Sequence, residues 1–247
     1  MIDIHNHTIF SDGKDSVADV IQAAVERDLK IVGISDHFDP YLLRQDVCLQ
    51  PEKVSSYSRE IERLKGSYPI TVLSGLELGL QSTGISWPVG DFDYYIYSVH
   101  TVPGFPDLRD MEDPWDIYLE EAAMAVELID KPGFLGHLDF LRRHIPGSKP
   151  PSPGELMNIL LKQIIACDVG LEFNTSGWMY RLGDPTPQPW VIERYLELGG
   201  RLITIGSDSH RAISVGKYNN DALNLLRKLG ISEVFYAVKD RYLSIPI

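Results

Sequence analysis

The sequence predicts an α/β protein: a distorted TIM-like barrel of the (β/α)7 type, in which residues 1–247 form one domain. Three observations carry that expectation. Short apolar runs alternate with helical patterns along most of the chain, the order that builds a parallel sheet covered by helices. No linker, internal repeat or low-complexity tract interrupts the seven or eight βα units, so one barrel, irregular or a strand short, is favoured over two domains. The least regular stretches, around residues 38–50, 81–90, 101–112 and 142–151, all follow strands, and in a parallel barrel such loops gather at the C-terminal face, where ligands bind.

The elements follow in order. IDIHNH, residues 2–7, alternates apolar Ile2 and Ile4 with polar neighbours and reads as a strand. SVADVIQAAVERDLK reads as a helix with Ser16 at the N-cap and Asp19 three residues on, and Val17, Val20, Ile21, Ala24 and Val25 make one apolar stripe. IVGIS (31–35) is the next strand, a helix over about 51–65 follows, and ITVLSGLEL (70–78) is a third strand. DYYIYSVH is a strand ending at His100; its tyrosines read as barrel packing. DPWDIYLEEAAMAVELI then opens a helix with Asp113 as cap and Pro114 at the first helical position, where proline is tolerated. GFLGH is a short strand, and Ser152, Pro153 and Glu155 form a capping-box signal for the helix SPGELMNILLKQIIAC. GLEFN is a strand, PWVIERYLELGG a helix closed by Gly199 and Gly200, and RLITIGS a strand. GKYNNDALNLLRKLG and SEVFYAV read as a last helix and strand.

Composition narrows the partners. The 247 residues are 44% hydrophobic, enough for a sizeable core, and the formal charge of −12 argues against a broad nucleic-acid or anionic-membrane surface. Cys48 and Cys167 are far apart and form no Cys-x-x-Cys motif, so neither a disulfide framework nor a sulfur-rich metal site is expected. MIDIHNHTIFSDG lacks the basic and long apolar regions of a signal peptide, and no apolar run reaches the roughly 20 residues that span a bilayer; a cytoplasmic protein is expected.

The chemistry lies in the histidines. His5 and His7 end the first strand, His37 follows IVGISD, His100 follows YYIYSV, His137 follows GFLG and His210 follows ITIGSDS; Asp12, Glu77 and Asp208 join them. A histidine taken singly is usually a core or surface residue. Nine imidazoles and carboxylates gathered on one barrel face are a different matter, because their repulsion and desolvation call for cations. Residues i and i+2 of a strand point the same way, so His5 and His7 can close on one ion. Nine ligands suit two or three ions sharing a bridging carboxylate, and nitrogen and oxygen donors without sulfur fit zinc, iron or manganese. The expected metal site thus lies at the C-terminal ends of the strands.

At these residues the chain resembles the PHP (polymerase and histidinol phosphatase) superfamily, and within it the bacterial histidinol-phosphate phosphatases, through DIHNHTIFSDG, ISDHFDP, GLELGL, SVH, GHLDFLRR, LEFNTSGW and TIGSDSH in the family's order. The resemblance implies a distorted seven-stranded barrel with up to three metals. One ion would be held by His5, His7, Glu77 and Asp208, a second by Glu77, His100 and His137, and a third by Asp12, His37 and His210. Three divalent ions bring about six positive charges against three from the carboxylates, an excess suited to a phosphate dianion and hydroxide. The expected activity is therefore a metal-dependent phosphomonoester hydrolase, in particular L-histidinol phosphate plus water to L-histidinol plus phosphate, in which a metal-activated water attacks phosphorus in line. Glu77, Asp208 and His210 are the expected catalytic residues, and a small phosphorylated metabolite the expected partner.

Around the cluster, Arg142, Arg143 and His144 are candidates to fork onto the phosphate, or else a solvated basic loop. Arg181 resembles the arginine that relatives carry after NTSG, although the segment SGWMYRLGDPTPQPW displaces it. Asn174 touches substrate, orients a ligand or caps a turn. Asp36 and Asp139 are candidate partners for imidazole N–H groups, with surface or turn carboxylates as the alternative. Trp87, Trp178 and Trp190 line the mouth or pack. Two other classes compete: a nuclease or phosphodiesterase of the same superfamily, disfavoured by the acidic charge, and an amidohydrolase, disfavoured because Glu77 stands where those enzymes usually place a bridging lysine. A closed structural metal knot would not spread nine ligands over open loops.

Overall fold

In the computed structural model, which describes residues 1–105, 107–110, 112–145, 147–150 and 154–247, seven parallel strand lines wind into a nearly closed barrel. β1 (Ile2–Asp3) pairs with β2 (Ile31–Ile34), and β2 is continued after a two-residue break by β3 (His37–Phe38), both against β4 (Thr71–Gly79). The order then runs through β5 (Tyr94–Ser98), β6 (Gly133–Leu135), β7 (Gly170–Asn174) and β8 (Ile203–Gly206). Backbone hydrogen bonds from Ile4 N–H to Ile205 (3.1 Å) and from His7 N–H to Ser209 (2.8 Å) bring the last strand back to the first. These strands are almost wholly buried, as strands with helices outside and a packed barrel inside must be.

The barrel interior is filled by Tyr94. A Cβ on Gly33 or Gly75 would stand 2.2 or 2.3 Å from its ring and hydroxyl atoms, so two glycines make the space, and the hydroxyl donates to the Ile4 carbonyl at 2.5 Å.

Outside lie α1 (Val17–Glu26), α2 (Val54–Leu64), α3 (Pro114–Val126), the single turn α4 (Leu141–His144), α5 (Glu155–Ala166), the turn α6 (Ser176–Met179), α7 (Pro189–Glu197) and α8 (Asn219–Lys228). The Ser16 and Asp19 capping box forms in full. Val54, Tyr57, Ile61 and Leu64 put the buried stripe of α2 at helical spacing. Pro114 opens α3 as expected, although the Asp113 side chain makes no capping bond. Gly154 stands at the N-cap of α5; Ser152 and Pro153 lie outside the described residues.

The final strand departs from expectation. SEVFYAV becomes β9 (Glu233–Val238) and pairs antiparallel with β10 (Arg241–Pro246) in a hairpin outside the barrel. Only Val234 and Ala237 of β9 are buried, whereas a place in the barrel, covered on both faces, needs a strand buried along its length. The hairpin lies at the end where the strands begin. Lys239 N–H reaches the Asp93 carbonyl at 2.7 Å, and the Tyr242 hydroxyl accepts from Gly133 N–H (2.9 Å) and donates to the Asp168 carbonyl (2.8 Å). Among the described residues no helix is long and apolar enough to cross a membrane.

Candidate metal centre

Every barrel strand line delivers a polar side chain to the C-terminal end. His5 and His7 follow β1, His37 opens β3, Glu77 lies in β4, His100 and His137 come two residues after β5 and β6, Asn174 ends β7, and Asp208 comes two residues after β8, with His210 beyond. His137 (φ 23°) and Asp208 (φ 54°) both hold a left-handed backbone, which a non-glycine residue adopts at a cost of about 1–3 kcal/mol. Surrounding structure maintains that strain where their side chains converge.

Glu77, fully buried, is the hub. Its Oε1 lies 2.9 Å from His137 Nε2 and 3.3 Å from His100 Nε2, and accepts from Ser98 Oγ at 2.7 Å. Its Oε2 faces the other side, 2.6 Å from His37 Nδ1, 3.4 Å from His5 Nε2 and 3.5 Å from His7 Nε2. Asp208 Oδ1 lies 3.3 Å from His7 Nε2 and 3.8 Å from His5 Nε2, while its Oδ2 is held by Arg143 at 2.7 Å. Asp12 Oδ1 stands 3.2 Å from His210 Nε2 and 3.8 Å from His37 Nε2. Among the described residues, three sets have donor atoms close enough for one ion: His5, His7 and Glu77; His37, Glu77 and His100; His7, Asp12, His37 and His210.

Cations fit this arrangement on a test independent of the distances. His5 Nε2, both ring nitrogens of His7, His37 Nδ1, Asp12 Oδ1 and Glu77 Oε2 are buried with no hydrogen-bond partner among the described residues. Even the 2.6 Å approach of His37 Nδ1 to Glu77 Oε2 lacks hydrogen-bonding geometry. Without cations the electrostatics conflict. Burial, then His210 and His37, push His7 down to about 3, whereas His100 rises to about 10 because Glu77 and Asp39 outweigh its burial. Burial works against ionisation of Glu77, yet His37, His5 and His100 hold it well below the usual carboxylate range.

Two carboxylates that orient the histidines escaped the sequence reading. Glu172 Oε1 meets His5 Nδ1 at 2.6 Å, and its Oε2 accepts from His137 N–H (2.8 Å) and Asn174 Nδ2 (2.9 Å). Asp39 meets His100 Nδ1 at 2.9 Å. Each fixes the imidazole tautomer so that Nε2 keeps its lone pair for the cluster. The signal for Glu172 was present in GLEFN: a lone acid in an otherwise apolar strand, in register with Asn174. Asp36 contacts no imidazole. It accepts from Thr8 N–H and Oγ (both 2.8 Å) and from Ser11 N–H (3.0 Å), and so pins the loop that carries Asp12. Asp139 is likewise buried, bound to Arg142 (2.9 Å) and Gln188 N–H (3.0 Å), and neither acid is a surface carboxylate.

A cavity of about 490 Å³ opens over the cluster. Arg143 lines it, held between Asp208 and the rings of Phe140 and Tyr180. Arg142 does not. Successive residues of the turn α4 point about 100° apart, and the Arg142 guanidinium is spent on Asp139, the Pro185 carbonyl (2.9 Å) and the Leu182 carbonyl (3.1 Å). Arg181, with a left-handed φ of 60°, is exposed and outside the cavity, which its neighbour Tyr180 lines. Asn174 is buried and outside the cavity lining, hydrogen-bonded to Glu172, Ser176 and Arg143. Trp87 packs on Tyr95 and Tyr97, Trp178 on Phe173 and Tyr218, and Trp190 on the core; none lines this cavity.

The sequence profile of the PHP domain matches residues 3–176, most of the chain and all but two of the cluster residues. The chain belongs to the PHP domain family. Relatives within this family include a probable histidinol-phosphatase of Thermotoga maritima, 28% identical with 92% of each chain covered, and a histidinol-phosphatase of Lactococcus lactis, 26% identical with 94% of this chain and 93% of the relative covered. Among solved structures, the histidinol phosphate phosphatase of Lactococcus lactis, crystallised with zinc, L-histidinol and phosphate, superposes with a TM-score of 0.80 at 22% identity over 97% of this chain and 98% of that one. Its likeness establishes that this PHP chain shares the barrel.

Proposed function

We propose that this PHP protein is a metal-dependent phosphomonoesterase that converts L-histidinol phosphate and water to L-histidinol and phosphate. One observation carries the reading: Glu77 presents one oxygen to His100 and His137 and the other to His5, His7 and His37, the disposition of a carboxylate bridging two cations. His5, His7, Glu77 and Asp208 would hold one ion, Glu77, His100 and His137 a second, and Asp12, His37 and His210 a third, with zinc, iron or manganese fitting the donors. When bound, the ions stabilise charge on the phosphoryl oxygens and supply a water that ionises near neutral pH.

The chain's own groups do the rest. Arg143, a planar fork locked against Asp208 and stacked between Phe140 and Tyr180, orients a phosphate entering the cavity. Glu172 and Asp39 hold the tautomers of His5 and His100. Full-length resemblance to histidinol-phosphatases supports the choice of substrate. The test is metal analysis of the purified protein followed by phosphate release from histidinol phosphate, sugar phosphates, nucleotides and a phosphate bis-ester. Preferred turnover of histidinol phosphate is expected; hydrolysis confined to the bis-ester would overturn the proposal.

A further inference from the structure

The cavity has two unlike halves. Its lining joins cluster histidines and Arg143 to an apolar and aromatic set, Leu42, Leu43, Val47, Phe140, His144 and Tyr180, with Phe140 packed on His100 and His137 where the two sets meet. The formal charges in that second half are already matched: Arg44 bonds Asp46 at 2.6 Å and Arg109 bonds Asp107 at 2.8 Å. Thr101 Oγ1 accepts from Gln81 at 2.8 Å. A polyhydroxylated leaving group would therefore trade its hydration for few free polar partners there. A flat, weakly polar ring would meet aromatic and aliphatic surface.

Within this wall Tyr180 stands apart. The Arg143 guanidinium lies 4.8 Å from its ring centroid, yet 54% of the residue is exposed, so ring surface remains for a ligand beside the phosphate-orienting group. Phe140 and His144 pack with ring centroids 4.4 Å apart, tilted by 53°, and extend the aromatic surface. Resting on the phosphomonoesterase reading, we propose that Tyr180 is a specificity residue whose ring stacks on a planar ring in the leaving alcohol, so that the enzyme selects ring-bearing phosphomonoesters over saturated or polyhydroxylated ones.

The test compares kcat/KM for histidinol phosphate with that for leucinol phosphate, which keeps the amine and similar bulk but has no ring. A ratio cancels any loss that Tyr180 variants cause through Arg143, which acts on the common phosphate. Aromatic pairing predicts that Tyr180→Ala lowers the ratio about three- to tenfold and that Tyr180→Phe retains it. Inhibition by the product L-histidinol weakens by the same factor in Tyr180→Ala. An unchanged ratio in Tyr180→Ala, or an equal fall in Tyr180→Phe, overturns the stacking role while leaving the hydrolase intact. Failure of the unaltered protein to release phosphate from either ester overturns the hydrolase reading and the subsite with it.

Discussion

Replacing Glu172 by glutamine tests the architecture of the centre without touching a ligand. The carboxylate accepts on both oxygens, from His5 on one and from His137 N–H and Asn174 on the other. A glutamine has one acceptor and one donor end. Its carbonyl oxygen satisfies more partners on the side of His137 and Asn174, which leaves the NH2 group facing His5 Nδ1. His5 must then accept at Nδ1 and carry its proton on Nε2, the atom that looks toward Glu77 and Asp208. One ligand lone pair is lost. Losses of this kind weaken metal binding about 10- to 100-fold, or about 1.4–2.8 kcal/mol. The metal-free fold exchanges hydrogen bonds and changes by only about 1 kcal/mol. Zinc affinity is read by competition with a chelating dye, bound metal after dialysis by elemental analysis, and metal-free stability by urea unfolding. Wild-type affinity in the variant refutes the tautomer argument; a metal-free stability loss of several kcal/mol would make Glu172 a structural brace instead.

Other outcomes follow from the same geometry. Glu77→Gln and His5→Ala should each abolish phosphate release while preserving the far-ultraviolet circular dichroism spectrum, and near-normal rates in either would break the site assignment. Arg142→Leu strands the buried Asp139 carboxylate and should lose about 3–5 kcal/mol, a fall in melting temperature of roughly 6–20 °C. Arg143→Lys, by contrast, keeps the charge and loses the fork, so KM should rise about tenfold with a smaller thermal shift; the reverse pattern would exchange their roles. Metal loading should release protons at neutral pH. In the metal-free chain Glu77 and Asp39 outweigh burial to raise His100 to about 10, and Asp12 and Asp208 likewise raise His210 to about 9. Both are protonated at pH 7, and ligand nitrogens must be bare. Their contribution to metal-free stability is full below the unfolded histidine value near 6.5 and is lost as pH rises through about 9–10, while metal affinity grows over the same range. Calorimetry of zinc binding in buffers of different ionisation enthalpy measures the release, and a buffer-independent heat would contradict it.

The primary structure alone determined the parallel barrel, because burial of a strand on both faces demands continuous apolar runs and helices demand a 3.6-residue stripe, and both patterns are local. It also determined which imidazoles and carboxylates gather at one end of the barrel, since groups at successive strand ends must converge once the strands are parallel. Tertiary structure alone decided which groups face the cavity. Arg142 and Arg143 are adjacent and chemically identical, yet one turn of α4 sends the first to Asp139 and the second to Asp208. Arg181, expected at the substrate, is exposed, and its neighbour Tyr180 lines the cavity instead. Glu172 looks like any strand acid until β7 is set beside β6 and β8, where it reaches His5 from 167 positions away. The hairpin β9–β10 needed the partner strand to declare its direction. In each case the deciding quantity is a direction in space between residues distant in sequence or a single backbone torsion, and neither leaves a period in the chain to be read.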